Sequence, residues 1–365
     1  MKLSVIIISY NCKVYLDLCL QSVALALKNI DGEIIVFDNN SSDGTKDYIK
    51  SRNHKILFID SDHNLGFSKA NNIAAKSAKG DFLFFLNPDT IIPDNLFDLF
   101  LNNKDYKNMG ILGFRMIDAT GQFLKESKRN SPTISIVLKK IFGFKNNYHS
   151  DLDELGFGKV DVLCGANMLI EKKIFNKINC FNEDYFMYGE DIELSQKSLS
   201  FGYENYYDGR ISLIHFKGES TKNDIGYLRN FYGAMQIYYN NIFSPSKLGL
   251  LLVKIFLRCI ILLKSLSRKP ELHKKNYKKT FLISDKLKDC LFNKYEDIIL
   301  SKKFDFSVND CRVILDLNYL NFNQIIEIIN SKKSSHNINF CFLNNDYTYL
   351  IESAGMNKKG KVVFL

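Results

Sequence analysis

Residues 3–11 read LSVIIISYN, in which an apolar run from Leu3 to Ile8, broken by Ser4 alone, stops at a polar Ser-Tyr-Asn sequence. Short continuous apolar runs are typical of strands that are buried on both faces, as in parallel sheets. The run is too short for the hydrophobic region of a signal peptide, and no small-residue cleavage site follows it. We therefore predict a buried parallel strand with polar residues at its carboxyl end.

Further strands and helices alternate outward from this run, which is the pattern of an α/β sheet flanked by helices. In such sheets ligands bind beyond the carboxyl ends of the strands. Predicted strands lie at 3–9, 33–37, 55–59, 81–86 and 109–114, with helices at about 13–28, 44–52, 67–79 and 93–103. Later come strands near 160–170 and 211–215 and helices near 190–201 and 223–240. We assign residues 1–240 to one domain of the α/β class.

Two smaller parts are predicted after this domain. Residues 241–303 are predicted to form a basic amphipathic helical segment, with helices at 246–269 and 276–303. Residues 304–365 are predicted to form a small C-terminal α/β unit, with strands at 312–317, 338–343 and 361–365 and a helix at 319–332. A chain of 365 residues is long enough for one large domain with such additions.

The positive charge is concentrated in one segment. The chain has a net charge of +9, and residues 244–303 contain 15 Lys and Arg against 5 Asp and Glu. Because the rest of the chain is close to neutral, we predict contact between this segment and an anionic surface, and no nucleic-acid partner. The eight cysteines form no C-x-x-C pair, which favours a reduced, cytoplasmic protein with structural thiols.

Acidic and amide residues follow the second and fourth predicted strands, among them Asp38 and Asp89. Two common nucleotide-binding patterns are absent, since no G-x-G-x-x-G follows the first strand and no G-x-x-x-x-G-K-[ST] occurs. A carboxylate at each of two neighbouring strand ends can serve a nucleoside diphosphate, one by bonding the base and one by holding a divalent cation. Ordinary Asx-rich turns remain an open alternative for either segment alone.

Six motifs, in order along residues 3–220, resemble the inverting family 2 glycosyltransferases of the GT-A fold, and the rhamnosyltransferase-like branch in particular. The matching stretches are SVIIISYN at 4–11, VFDNNSSDGT at 36–45, NLGF at 64–67 with ANN at 70–72, LNPDT at 86–90, CGANML at 164–169, and YGEDIEL at 188–194 with His215 after it. The resemblance implies a transferase of nucleoside-diphosphate sugars, built on a mostly parallel sheet flanked by helices.

The same resemblance implies roles for individual residues. The predicted nucleotide-sugar ligands are Ser9, Tyr10, Asn11, Asp38, Asn40, Asn64, Gly66, Asn71, Asn87, Pro88 and Asp89, and the predicted donor and acceptor pocket contains Gly165, Ala166 and Tyr188. Asp89 and His215 would hold a divalent cation, Mg²⁺ or Mn²⁺. The chain departs from the family's D-x-D pattern at Asn87, which leaves one carboxylate at the metal.

Glu190 and Asp191 also carry a chemical argument of their own. A glycine precedes them and a helical pattern follows, which places both at a helix N-terminus, where the dipole favours an ionised carboxylate. An ionised carboxylate is what a general base requires. With the other motifs this predicts Asp191 as the base that takes the acceptor's proton, with Glu190 beside it. A helix-capping pair is the alternative.

The apolar run at 248–263 is interrupted by Lys254 and Arg258. It is shorter than a membrane span and is charged near its middle. A narrow basic stripe on an apolar helix predicts a helix that lies in a membrane interface, where the lysines of 274–279 would add attraction to anionic lipid. The alternative is a core helix that the C-terminal unit covers, with its lysines snorkelling.

Taken together, these patterns predict a metal-assisted, inverting glycosyltransferase that is peripheral on the cytoplasmic face of the cell membrane and acts in bacterial polysaccharide synthesis. Its donor would be a UDP- or dTDP-sugar such as dTDP-rhamnose, and its acceptor a hydroxyl of a lipid-linked saccharide. One alternative is a non-catalytic membrane-bound scaffold, which the presence of Asp38, Asp89, Asp191 and His215 together disfavours. The other is a sugar-phosphate nucleotidyltransferase, whose Gly-rich, Arg-containing loop is absent after the first strand.

Overall fold

The computed structural model of the chain describes residues 2–52, 56–133, 135–136, 147–217, 225–243, 246, 249, 251, 253–258, 277, 279–332, 336–352 and 360–365. The strands before residue 216 are β1 Leu3–Ser9, β2 Gly32–Asp38, β3 Ile56–Asp60, β4 Phe82–Leu86, β5 Thr90–Ile91, β6 Met109–Ile117, β7 Lys128–Arg129, β8 Phe157–Lys159, β9 Val162–Leu163, β10 Asn167–Glu171 and β11 Glu204–His215. The helices are α1 Lys13–Ala26, α2 Thr45–Arg52, α3 Phe67–Ser77, α4 Leu96–Asn102, α5 Lys172–Lys177, α6 Glu190–Ser200 and α7 Ile225–Phe243.

The first apolar run lies at the centre of a mixed sheet. The strand order is β3-β2-β1-β4-β10-β6-β11-β5, with β8 also paired to β11. Strand β1 is parallel to β2 and β4, whereas β10 is inserted antiparallel between β4 and β6. Val5 and Ile7 share a core with α1, and Ile6 shares one with α3, so both faces of the strand are buried. The predicted fold class, a mostly parallel α/β sheet flanked by helices, is confirmed.

The strand predicted at 160–170 is two strands in the structure. Strand β9 pairs with β7 in a separate two-stranded sheet, and β10 belongs to the large sheet. The small-residue turn at 164–166 separates them, because the chain passes there from one sheet to the other. This difference matters for function, since the turn holds two of the predicted pocket residues.

The C-terminal unit has its own six-stranded sheet. Its strands are β12 Lys279–Ile283, β13 Ile298–Ser301, β14 Cys311–Asp316, β15 Ile338–Leu343, β16 Tyr349–Glu352 and β17 Lys361–Phe364, with helices α8 Asp289–Phe292 and α9 Phe322–Asn330. The helix predicted over 276–303 is therefore wrong for most of its length. Leu282 and Ile283 are fully buried because β12 lies between β13 and β14 in the sheet. The C-terminal sheet begins at Lys279, inside the segment predicted to be helical.

The C-terminal unit packs directly on the first domain. One apolar core contains buried residues of both, and the rings of Phe216 and Phe342 meet edge to face with centroids 5.0 Å apart. The Tyr349 hydroxyl donates to Asp17 Oδ2 of α1 at 2.5 Å. Because Phe216 directly follows His215, the C-terminal unit supports the strand end that carries a predicted metal ligand.

We expect Phe342→Ala to lower the free energy of unfolding of the whole chain by about 3–5 kcal/mol, the usual cost of emptying a fully buried aromatic site. Because the core is shared, unfolding should remain one cooperative transition when followed in urea. Phe364→Ala is the matched control, since Phe364 is 65% exposed and its loss should change the free energy by at most about 0.5 kcal/mol. Two separate transitions, only one of them shifted by Phe342→Ala, would contradict the shared core.

Candidate active site

The polar residues that follow β1, β2 and β4 meet at one edge of the large sheet. Ser9, at the end of β1, is in register with Asp38 at the end of β2, and Ile7 is in register with Leu86 of β4. The sequence Asn87-Pro88-Asp89, with its proline buried, directly follows β4. The three predicted motifs therefore lie beyond the carboxyl ends of adjacent parallel strands, where such sheets bind ligands.

Asp38 presents a free carboxylate oxygen on the predicted nucleoside side. Its Oδ2 accepts the Ser41 backbone N–H at 2.9 Å, while Oδ1 is buried and has no hydrogen-bond partner among the described residues. A buried acceptor of this kind costs free energy until a ligand or water bonds to it. Tyr10 is 38% exposed and open to a ligand. Ser9 is fully buried, with Oγ 3.6 Å from Cys12 Sγ, so it lies beneath the site.

Two predicted ligands, Asn11 and Asn40, shape the loops beside this carboxylate. Their φ values are 50° and 65°, in the left-handed region that Asn tolerates better than most residues. Asn11 Oδ1 accepts the Ser42 backbone N–H at 2.8 Å, which joins the turn after β1 to the turn after β2. Asn40 is exposed. Asn11 thus orders these loops, and both Asn11 and Asn40 are exposed to a ligand.

Asn39 holds the 64–66 loop against the end of β2. Its Nδ2 donates to the Gly66 carbonyl at 3.0 Å, and its Oδ1 accepts the Leu65 N–H at 2.9 Å. Asn64 closes the same turn by accepting the Gly66 N–H at 2.9 Å. No sequence pattern predicts this role for Asn39, because the loop that it binds is distant along the chain.

Gly66 and Asn71 act at the start of α3. Gly66 has a φ of 81°, and a Cβ there would lie 2.4 Å from the Phe186 carbonyl oxygen. That oxygen accepts the Phe67 N–H at 2.6 Å, so glycine lets the loop before α6 close onto α3. Asn71 is buried and donates to the Phe67 carbonyl within its own helix at 2.9 Å. Both residues therefore order the loop.

The predicted metal ligands lie together at the end of β4. Asp89 Oδ1 is 3.3 Å from His215 Nε2, although the contact lacks hydrogen-bond geometry, and Asn87 Nδ2 is 3.4 Å from the same nitrogen. Backbone pairing sets this register, since the Phe216 N–H donates to the Asp89 carbonyl at 2.9 Å. The orphaned, buried Asp89 oxygen beside an imidazole nitrogen fits a divalent cation. Among the described residues no group of three or more His, Cys, Asp or Glu converges, so substrate oxygens and water would complete the coordination.

The turn between β9 and β10 contacts both the segment that carries Asp89 and the acidic pair Glu190 and Asp191. The Asn87 N–H donates to the Ala166 carbonyl at 2.9 Å, and the Gly165 N–H donates to Asp191 Oδ2 at 3.1 Å. A Cβ on Gly165 would lie 3.3 Å from Asp191 Cβ, a tight approach that glycine relieves. The turn therefore links the predicted base Asp191 to Asn87, which lies two residues before the predicted metal ligand Asp89.

Glu190 and Asp191 begin α6, and both are buried, at 6% and 8% exposure. Asp191 Oδ1 accepts the Ile192 N–H at 2.8 Å, whereas Glu190 Oε2 has no hydrogen-bond partner within the described chain. Burial, and then the negative charge of Asp191, raise the pKa of Glu190 to about 8. Glu190 is therefore mainly protonated at neutral pH, contrary to the expectation from the helix dipole, because burial outweighs the dipole at this position.

Arg129 is the counter-ion of Asp191, and no motif in the sequence singles it out. Its Nη2 donates to Asp191 Oδ2 at 2.7 Å, in an ion pair whose side chains are 8% and 12% exposed. Tyr188, a residue of the predicted donor and acceptor pocket, also contacts α7. Its ring packs against Phe231 of α7 with centroids 6.0 Å apart, so in this structure it joins α7 to the loop before α6.

Comparison with known proteins finds similar proteins among the glycosyltransferases. Residues 4–178 match the model of glycosyl transferase family 2. The N-acetylglucosaminyl-diphospho-decaprenol L-rhamnosyltransferase of Mycobacterium tuberculosis is 24% identical over 241 residues, which cover 61% of this chain and 78% of that protein. Rhamnosyltransferase WbbL of Escherichia coli K12 is 28% identical over 239 residues, which cover 60% of this chain and 85% of that protein.

Among solved structures, the mannosyltransferase PcManGT from Pyrobaculum calidifontis in complex with GDP-Man and Mn²⁺ has a TM-score of 0.45 at 14% identity, covering 72% of each chain. The motifs and the family match together place residues 4–178 in glycosyl transferase family 2, and the chain is similar to rhamnosyltransferases.

Proposed function

We propose that the chain transfers a sugar, with inversion at the anomeric carbon, from a nucleoside-diphosphate donor to a hydroxyl of a lipid-linked saccharide. The hydrogen bonds that link Asp191 through the Gly165-Ala166 turn to Asn87, next to the Asp89–His215 pair, carry this proposal. Inversion needs the base on the face of the sugar opposite the leaving diphosphate. A carboxylate on one side of the turn and the predicted diphosphate end on the other supply these two positions.

In this proposal each end of the site has a separate task. Asp38 binds the base or ribose through its free Oδ1. Asp191 takes the proton of the acceptor hydroxyl while that oxygen bonds to the anomeric carbon and the bond from this carbon to the diphosphate breaks. A Mg²⁺ or Mn²⁺ ion held by Asp89 and His215 would offset the negative charge on the departing diphosphate.

The proposed substrates follow from the relatives. The mycobacterial relative is named for L-rhamnose and for a diphospho-decaprenol acceptor. We extend both classes to this chain, with a UDP- or dTDP-sugar, including dTDP-rhamnose, as donor and a lipid-linked saccharide of the bacterial cell envelope as acceptor. The reaction would then occur at the cytoplasmic face of the membrane.

A donor screen tests the proposed activity. UDP-, dTDP- and GDP-sugars are titrated calorimetrically with and without Mn²⁺, and slow hydrolysis is followed by NMR at the anomeric proton. We expect one nucleotide class to bind more tightly with metal, and the released sugar to appear first as the inverted anomer. Absence of binding to every donor would overturn the proposal. Release of pyrophosphate from a nucleoside triphosphate and a sugar phosphate would favour a nucleotidyltransferase instead.

We also propose that the basic segment docks on an anionic membrane. Residues 253–258 are helical, and Leu257 is buried against α7. Leu251 and Ile255, one helical turn apart, are 52% and 50% exposed, and Arg258 is exposed near them. One face of the segment thus packs on the protein while another presents apolar side chains beside a cation, as interfacial helices do.

Leu257 is packed inside the protein, but against α7, whereas the core-helix alternative has the C-terminal unit cover the segment. Leu251 and Ile255 are exposed, as the membrane alternative requires. No helix in the described parts of the chain is both long and apolar enough to cross a bilayer. The predicted lipid-binding lysines at 274, 275 and 278 lie outside the described residues. Membrane docking is therefore tested with the exposed side chains of Leu251 and Ile255.

Leu251→Gln combined with Ile255→Gln is expected to reduce pelleting with anionic vesicles at least tenfold. Each buried Leu or Ile side chain contributes about 1.5–3 kcal/mol to membrane burial, and about 1.4 kcal/mol is a factor of ten. Leu99→Gln with Leu101→Gln is the matched control, because these residues of α4 are 44% and 37% exposed. Raised salt should weaken binding of the wild type. Equal, negligible pelleting of the wild type with anionic and neutral vesicles would refute the docking.

A further inference from the structure

Arg129 is fixed beside the acid pair by backbone pairing on two sides. It faces Val162 of β9 in antiparallel register and forms an isolated bridge with His149. Its guanidinium also donates to the Leu163 carbonyl at 2.6 Å. These contacts set the position of the guanidinium without any contribution from the acids.

The guanidinium forms an ion pair with one of the two adjacent acids. Nη2 donates to Asp191 Oδ2 at 2.7 Å, and the same oxygen accepts the Gly165 N–H at 3.1 Å. Glu190 Oε2 has no hydrogen-bond partner among the described residues. Two adjacent buried carboxylates facing one cation cannot both remain charged at low cost, and the acid without a counter-ion keeps its proton.

We propose that Arg129 is a positioning residue that selects Asp191, and not Glu190, as the carboxylate that accepts the acceptor's proton. The inference rests on the proposed function, because it assigns a role within that reaction. Arg129 and Gly165 occupy both lone pairs of Oδ2 and hold it in one orientation. Oδ1 accepts the Ile192 N–H and keeps a second lone pair for the acceptor hydroxyl. The proton passes from that hydroxyl to Asp191 as its oxygen bonds to the anomeric carbon and the diphosphate leaves.

Apart from Arg129, the titratable groups in the described part of the chain whose charges act on the acid pair carry no positive charge. Besides Arg129 they are Cys164 after β9 with Glu126 beyond it, Tyr148 beside β7, and Tyr185 before α6. Burial raises the pKa of Cys164 to about 12 and also raises the pKa of Tyr185, so both are neutral at pH 7. Arg129 is therefore the cation that decides where the negative charge of the pair resides.

The ion pair is tested first by thermal unfolding, which needs no activity. We expect Arg129→Met to lower the Tm more than the double variant Arg129→Met with Asp191→Asn, because the single change leaves a buried carboxylate without a counter-ion. Arg115→Met is the matched control. It removes an Arg whose side chain is 4% exposed and whose ion-pair partner is Glu154, so its effect should add to that of Asp191→Asn. Additive effects of Arg129→Met and Asp191→Asn would overturn the proposal.

The pH dependence of donor hydrolysis then separates positioning from a purely structural role. In Arg129→Met we expect the rate at pH 7 to fall roughly 10²-fold, as misplaced catalytic groups do, with KM for the donor unchanged. The acidic limb of the pH–rate profile should move to higher pH by about 1 pH unit or more, and Arg129→Lys should restore part of the rate. A wild-type pH profile in Arg129→Met would overturn the proposal. If the wild type binds no donor, the proposed function fails, and the stability measurement still decides whether Arg129 controls the charge of Asp191.

Discussion

Asp191→Asn is expected to lower sugar transfer by roughly 10²–10⁴-fold, the usual contribution of a positioned general base, while the affinity for the nucleotide-sugar donor stays nearly unchanged. The amide keeps the size of the carboxylate and can still accept the Gly165 N–H that Asp191 Oδ2 accepts at 3.1 Å. It cannot take a proton from the acceptor hydroxyl. The loss should therefore appear in kcat, measured with a saccharide acceptor, and calorimetry should show unchanged donor binding.

Two variants on the same helix separate catalysis from damage to α6. Glu193→Gln removes another buried acid of the first turn, which accepts a hydrogen bond from Asn182 at 3.1 Å, and we expect transfer within a few-fold of wild type. Glu190→Gln replaces a side chain that its raised pKa of about 8 keeps mainly protonated, and therefore neutral, at pH 7. The neutral amide resembles that state, so the effect of the variant at pH 7 should also be small. Transfer at the wild-type rate by Asp191→Asn would leave Asp191 as a helix-terminal hydrogen-bond acceptor only.

The large sheet could be predicted because its strands are buried on both faces. A strand such as Val5-Ile6-Ile7, with no exposed surface, must be continuously apolar, and that pattern is visible without any knowledge of partners. The strand Lys279–Ile283 could not be predicted from its own sequence. It lies among lysines that suggest a charged helix, and its burial depends on β13 and β14, which are brought beside it by the fold.

The residues of the candidate site also differ in whether the sequence alone predicts them. Asp38 and Asp89 could be predicted because they directly follow predicted strands, so the position of each is given by its own segment. Arg129 and Asn39 could not, because each acts on residues far along the chain, Asp191 and the 64–66 loop. Glu190 was found, but its protonation was not predicted, since burial depends on the packing of the whole site.

Asp89→Ala is expected to abolish the increase in diphosphate-nucleotide affinity that Mg²⁺ or Mn²⁺ produces, and to lower transfer by about 10²-fold or more. The reason is that Asn87 stands where the family pattern has a second acid, so Asp89 is the one carboxylate proposed at the ion. A bound metal contributes several kcal/mol to stabilising charge on a departing diphosphate, and about 1.4 kcal/mol corresponds to a factor of ten. Titration of UDP or dTDP with and without metal measures the first effect directly.

Two further variants show whether the loss comes from the metal or from the nucleotide pocket. Asp38→Asn should weaken nucleotide binding equally with and without metal, because Asp38 is proposed to bind the base or ribose and is not a proposed metal ligand. Asn87→Asp should raise metal affinity, since it adds a second carboxylate beside His215, whose Nε2 is 3.4 Å from Asn87 Nδ2. If Asp89→Ala keeps the full metal effect while Asn87→Asp changes nothing, the cation is held elsewhere. Asp89 and His215 would then be only a buried contact that positions β11 against the turn after β4.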